Sequence, residues 1–95
     1  MRFKTHPGEV LLEEFMAPLG LSANALATAL RVPATRIGEI IKERRGVTAD
    51  TALRLARYFG TTAQFWANLQ TAHDLSKAEA EEGVKIARDV TPYAA

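Results

Sequence analysis

The sequence predicts an all-α fold: a domain of five short helices followed by a short C-terminal extension. Three observations lead there. Apolar residues recur at helical i, i+3, i+4 spacing in successive stretches. Residues that start and stop helices bound those stretches. The chain has 95 residues, 47% hydrophobic and 24% charged, which is the length and balance of one ordinary globular domain.

The elements follow in order. Pro7 suits a first helical turn, where its missing N–H has no intrahelical partner to lose. Val10, Leu11, Leu12, Phe15 and Met16 continue it as an apolar stripe, and Pro18 with Gly20 is expected to end it. Ser22 is a good N-cap for a second helix, Ala23 to Leu30, with Leu26, Ala27 and Leu30 inward. Arg31-Val32-Pro33 breaks the chain, and a third helix over about 33–43 buries Ile37, Ile40 and Ile41. Arg44-Arg45-Gly46 is a loop. Thr48 caps a fourth helix with Ala52, Leu53, Leu55, Ala56 and Phe59 mainly inward, and Gly60 stands where a C-terminal glycine belongs. Thr62 caps a fifth, packed through Phe65, Trp66, Leu69 and Ala72. The extension starts with a polar helix, Ser76 to Glu82, stopped by Gly83. Val84–Val90 mixes alternation with β-branched residues and reads as a short strand or an extended arm. A lone strand needs a partner, either Arg2–Lys4 or a second subunit.

The stretch Leu21–Ile41 has helix-turn-helix grammar. Ala27 lets two short helices approach, Val32 and Ile37 lock their crossing, and the second helix projects its N-terminal half. With its isoleucines inward, that helix leaves Ala34, Thr35, Arg36, Gly38, Glu39 and Lys42 facing out. Small residues at its start, from Pro33, let the backbone approach base edges. Arg36 suits guanine O6/N7 or a phosphate, Thr35 a thymine methyl or a phosphate, and Glu39 cytosine N4. Lys42, Arg44 and Arg45 cluster where a clamp on the DNA backbone is expected. Ser22, Ala23 and Asn24 place N–H groups at the positive end of the second helix, toward a phosphate. An ordinary αα-hairpin with a solvated charged face is the competing reading of these residues.

The net charge of +1 hides a distribution. Residues 31–57 carry seven basic and three acidic side chains, net +4, between segments of −1 (residues 1–30) and −2 (residues 58–95). The positive block coincides with the helix-turn-helix and its following loop, which is the footprint of a polyanion-binding face.

Other chemistry is poorly served. Cysteine is absent, which excludes disulfides and thiolate sites and fits a cytoplasmic location. No apolar run approaches a membrane span, and the N-terminus lacks the apolar core of a secretory signal. His6 belongs to a surface or N-terminal turn, and His73 and Asp74, adjacent on a helix, do not face each other. No cofactor, metal or catalytic constellation is expected, so the protein reads as a binding protein and not an enzyme. Trp66 and Phe65 read as core, with a dimer interface as the alternative for one of them.

Three motifs then carry a family resemblance: His6-Pro7-Gly8-Glu9-Val10-Leu11, Arg45-Gly46-Val47-Thr48-Ala49-Asp50-Thr51-Ala52-Leu53-Arg54-Leu55-Ala56, and Tyr58-Phe59-Gly60-Thr61 through Phe65-Trp66, Asn68-Leu69-Gln70. Together they resemble the HigA-type, VapI-like antitoxins of the XRE/Cro helix-turn-helix class, over about residues 5–75. The resemblance implies a five-helix, lambda-repressor-like DNA-binding domain (residues 1–75) that dimerises and represses its own toxin–antitoxin operon. It also implies neutralisation of a HigB-type ribonuclease toxin, with residues 76–95 in dimer or toxin contact. By position, Ala34, Thr35 and Glu39 fall where the class reads bases, and Ser22, Ala23, Lys42 and Arg44 where it holds the backbone. Many members carry Gly where Arg31 stands and Gln where Ala23 stands. If the first position needs positive φ, Arg31 bears strain of ~1 kcal/mol. The second change removes one specific contact.

One ~10 kDa subunit reads few base pairs, so a homodimer on an inverted repeat of double-stranded DNA is expected. A stand-alone transcriptional regulator without a toxin is the alternative. A protein–protein adaptor built on the first and fifth helices is the reading from a different class.

Overall fold

The computed structural model describes residues 4–93. It is helical: α1 (Pro7–Leu19), α2 (Ala23–Leu30), α3 (Ala34–Ile41), α4 (Ala49–Phe59) and α5 (Ala63–Asp89), with no strand among the described residues.

Pro7 opens α1 as expected, with His6 as the N-cap, its ring Nδ1 accepting from the Gly8 N–H at 2.9 Å. His6 is only 6% exposed, so it belongs to the N-terminal turn but not to the surface. Pro18 does not end the helix. Leu11–Met16 widens into a π segment, in which the Ala17 N–H donates to the Leu12 carbonyl five residues back. A regular turn there would drive the proline ring into the carbonyl four residues earlier, and the wider turn relieves it. Gly20, at φ 66°, closes α1, and α2 leaves it at 98°.

Ser22 Oγ, Thr48 Oγ1 and Thr62 Oγ1 each accept from a first-turn N–H, capping α2, α4 and α5. The core lies where α1 to α4 meet the start of α5: Leu11, Met16, Leu26, Ile37, Ile40, Leu55 and Trp66 have almost no exposure. Each such side chain contributes roughly 1.5–3 kcal/mol of transfer free energy. Phe15 packs its ring against Phe59 and Trp66, and Trp66 Nε1 donates to Thr61 Oγ1 at 2.8 Å. Gly8 sets the approach of α1 to α3, because a Cβ there would overlap the Ile40 carbonyl. Four residues expected inward are exposed: Leu53 and Ala72, and in part Leu12 (38%) and Phe65 (39%), the Phe65 ring still meeting those of Phe15 and Trp66. Leu53 and Phe65 each sit beside a neighbour, Ala52 and Trp66, that holds the inward position.

The C-terminal extension departs most from expectation. α5 runs 27 residues without a break through position 75/76 and through Gly83, ~40 Å at helical rise. Val84–Asp89 is therefore helix and not strand. An interior glycine costs a helix only ~1 kcal/mol, the Lys85–Asp89 pair at 3.0 Å supports the last turns, and no second strand among the described residues offers a ladder. Of the expected strand partner, Arg2 and Phe3 lie outside the described residues. Lys4 docks on α5 differently: its N–H donates to Ser76 Oγ at 2.9 Å and its carbonyl meets His73 Nδ1 at 2.7 Å. From its middle onward α5 exposes Leu75 (63%), Val84 (82%) and Ile86, and Val90 just past its end is exposed as well. Among the described residues no single helix is long and apolar enough to cross a membrane.

Candidate nucleic-acid interface

The turn between α2 and α3 is three residues long. Arg31 adopts the left-handed conformation (φ 61°) that its position suggested, and its N–H returns to the Ala27 and Thr28 carbonyls. α3 follows with Pro33 as its N-cap and no side-chain capping bond. Ala34 and Thr35 are exposed in its first turn while Ile37 and Ile40 are fully buried. The helix is thus anchored from behind and open at its N-terminal front, the geometry needed to enter a major groove.

The flanking residues divide into three groups. At the start of α2, Ser22 spends its hydroxyl on capping, Asn24 is exposed, and Ala23 is half-buried against the core. The Ala23 and Asn24 N–H groups precede the first intrahelical bond, which leaves them for an external acceptor. Beyond α3, Lys42, Arg44 and Arg45 are all exposed. Glu43, at φ 61°, turns the chain into this loop, and the Arg44 N–H holds the Glu39 carbonyl at 2.8 Å. Gln70 of α5 fixes the loop from below, its Oε1 accepting from the Val47 N–H at 2.7 Å.

Side-chain pairing separates the cations. Arg45 is tied to Glu39 at 2.8 Å, so two residues expected to contact DNA contact each other. Arg36, with a side chain 27% exposed, bonds Asp50 at 2.9 Å. Lys42 and Arg44 hold no ion pair among the described residues. The hydrogen bond from Arg54 above all, opposed by desolvation and helped by the bond from Arg36, holds the Asp50 carboxylate below its usual range.

Asp50, Arg54 and Gln70 are site-supporting residues that sequence reasoning passed over. The Asp50–Arg54 spacing is legible as a helical i, i+4 pair. The link from Asp50 to Arg36, 14 residues away, and that from Gln70 to Val47, 23 residues away, left no local signal.

A short helix, a three-residue turn and a second helix with a buried back and an open front define a helix-turn-helix DNA-binding domain. A family model described as helix-turn-helix matches residues 12–66. The chain is 62% identical over 77 residues to virulence-associated protein I of Dichelobacter nodosus, covering 81% of this chain and 71% of that protein. It is similar to Pseudomonas aeruginosa antitoxin HigA, solved with the higBA promoter, at TM-score 0.91 and 46% identity over 95% of this chain and 98% of that one. With antitoxin GraA, solved in complex with its operator, the TM-score is 0.93 and the identity 49%, covering 100% and 95% of the two chains. The chain belongs to the helix-turn-helix family, in its HigA-type antitoxin branch.

Proposed function

We propose that this chain is a sequence-specific DNA-binding antitoxin that represses its own operon as a homodimer and neutralises a HigB-type ribonuclease toxin. The observation that carries the DNA reading is the exposed N-terminal front of α3, flanked by Lys42 and Arg44, which hold no ion pair among the described residues. Ala34, Thr35, Arg36 and Glu39 read bases. Ser22, Ala23, Asn24 and Pro33 approach the backbone from one side, and Lys42, Arg44 and Arg45 clamp it from the other. Arg45 reaches a phosphate by leaving Glu39, an exposed pair worth only ~0.2–1 kcal/mol, and its departure frees Glu39 for a base.

Two features support association. Leu53 and Tyr58 are exposed on α4, and Leu75, Val84 and Ile86 are exposed along the otherwise charged second half of α5, which gives a second copy apolar side chains to cover. The family's antitoxin members support the toxin half of the reading. The test is a titration of the full chain onto the DNA upstream of its own gene, with co-purification of the neighbouring gene product. Salt-sensitive binding that prefers this DNA over a scrambled duplex, and a stable complex with a small ribonuclease, are expected. Binding without a toxin partner would favour a stand-alone regulator. Absence of sequence preference at low salt, with the chain folded, would refute the DNA reading.

A further inference from the structure

One carboxylate oxygen and the arginine beside it link the three helices around the recognition turn. Leu30 closes α2, and its carbonyl is among those a helix end leaves without an intrahelical donor. Arg54 of α4 supplies one, Nη1 donating to that carbonyl at 2.9 Å while its Nε donates to Asp50 Oδ2, also at 2.9 Å. The same Oδ2 accepts from Arg36 Nη1 at 2.9 Å. Arg36 stands in the first turn of α3, one residue after Thr35. An arginine has five donors in a rigid fork, and this bond uses one. The guanidinium is therefore fixed at one corner, with the rest of its fork left to bond elsewhere.

We propose that Asp50 is a positioning residue for sequence recognition, acting through Arg36 to favour one DNA sequence over bulk DNA. This rests on the place given to Arg36 in the reading interface. Two effects follow from the geometry. Anchoring removes rotamer freedom that a loose arginine would lose on binding, which favours the one register where its remaining donors meet a base or phosphate. The carboxylate also places a negative charge between Arg36 and Arg54, which opposes their indiscriminate attachment to phosphates. Specific binding gains from the first effect and non-specific binding loses from the second.

The test compares affinities for two duplexes: one enriched from a random-sequence library by the wild-type chain, and a scrambled one of equal composition. Asp50→Asn, with Asp50→Ser as a second variant, is measured where far-UV circular dichroism shows each folded. The specific-to-scrambled ratio should fall at least about tenfold, because in a dimer the Arg36 contact is loosened in both half-sites. Scrambled-duplex affinity should rise and its salt slope steepen. Arg36→Ala should lower the ratio similarly, and Asp50→Asn in that background should change it less than twofold. A purely structural role for Asp50 in the first turn of α4 moves stability and leaves the ratio alone. An unchanged ratio in the Asp50 variants, or an equal fall in the Arg36→Ala background, overturns the positioning role. An unchanged ratio in Arg36→Ala overturns it together with Arg36's place in the interface.

Discussion

Replacing Arg44 with Ala isolates the phosphate clamp from the rest of the interface. Its side chain is exposed and holds no ion pair among the described residues, and its backbone bond to the Glu39 carbonyl does not involve the side chain. The fold should therefore be unaffected, with unfolding free energy unchanged to within ~0.5 kcal/mol. Each phosphate neutralised adds ~0.9 to the slope of log K against log salt, and a dimer loses two such contacts, so the slope should drop by ~1.8. Between 50 and 200 mM salt, a fourfold change, that drop makes the variant's affinity fall about twelvefold less than the wild type's. Fluorescence anisotropy with one labelled duplex across that salt range reads both quantities. Parallel salt lines for variant and wild type would refute the clamp. A weaker affinity with an unchanged slope would place Arg44 in the interface without a phosphate beneath it.

Other expectations rest on the packing. Gly8→Ala pushes a methyl into the Ile40 carbonyl and should cost ~1–3 kcal/mol, visible as a thermal midpoint at least ~4 °C lower; an unchanged midpoint would mean that α1 and α3 have room to part. Arg31→Gly relieves left-handed strain of ~1–2 kcal/mol and adds ~0.5–1 kcal/mol of unfolded-state entropy. The net should be a gain of about 0.5 kcal/mol, and a lower midpoint would contradict it. Burial lowers the His6 pKa below 6.5, helped by His73 and opposed by Glu43 and Asp74. The unfolded chain then binds a proton first, so this contribution to stability is complete above pH 6.5 and is lost as pH falls toward the folded value. Protonation at Nδ1 would also end its acceptance of the Gly8 N–H. The urea midpoint should fall between pH 7.5 and 5.5, and less so for His6→Asn, whose capping oxygen does not titrate there. Equal pH dependence in both would show that other groups dominate.

Local chemistry made most of the fold legible. Ser22, Thr48 and Thr62 announced three helix starts, and Gly20 and Gly60 two ends, because caps and left-handed glycines act within one turn. Arg31 in a left-handed conformation was legible only through family resemblance, and Glu43, in the same conformation, carried no signal since nothing in a glutamate marks it. Gly83 misled: a glycine followed by Val84 and Ile86 looks like a helix stop, but an interior glycine costs only ~1 kcal/mol and α5 runs through it. Composition located the basic block, while which cations are committed to carboxylates depends on contacts 6 and 14 residues apart that no local pattern records. So the sequence reading placed Arg36, Arg45 and Glu39 as independent contacts, and the structure joins each of them to a partner.

In the proposed function, α2 and α3 deliver sequence-specific binding from a two-fold dimer. Hydroxyl-radical footprinting of the full chain on the DNA upstream of its gene tests it most directly. Two protected patches of equal pattern are expected on one face of the duplex, separated by a whole number of ~10-base-pair turns and related by a two-fold axis. Uniform protection, a single unpaired patch, or none at a concentration that saturates the anisotropy signal would contradict the account.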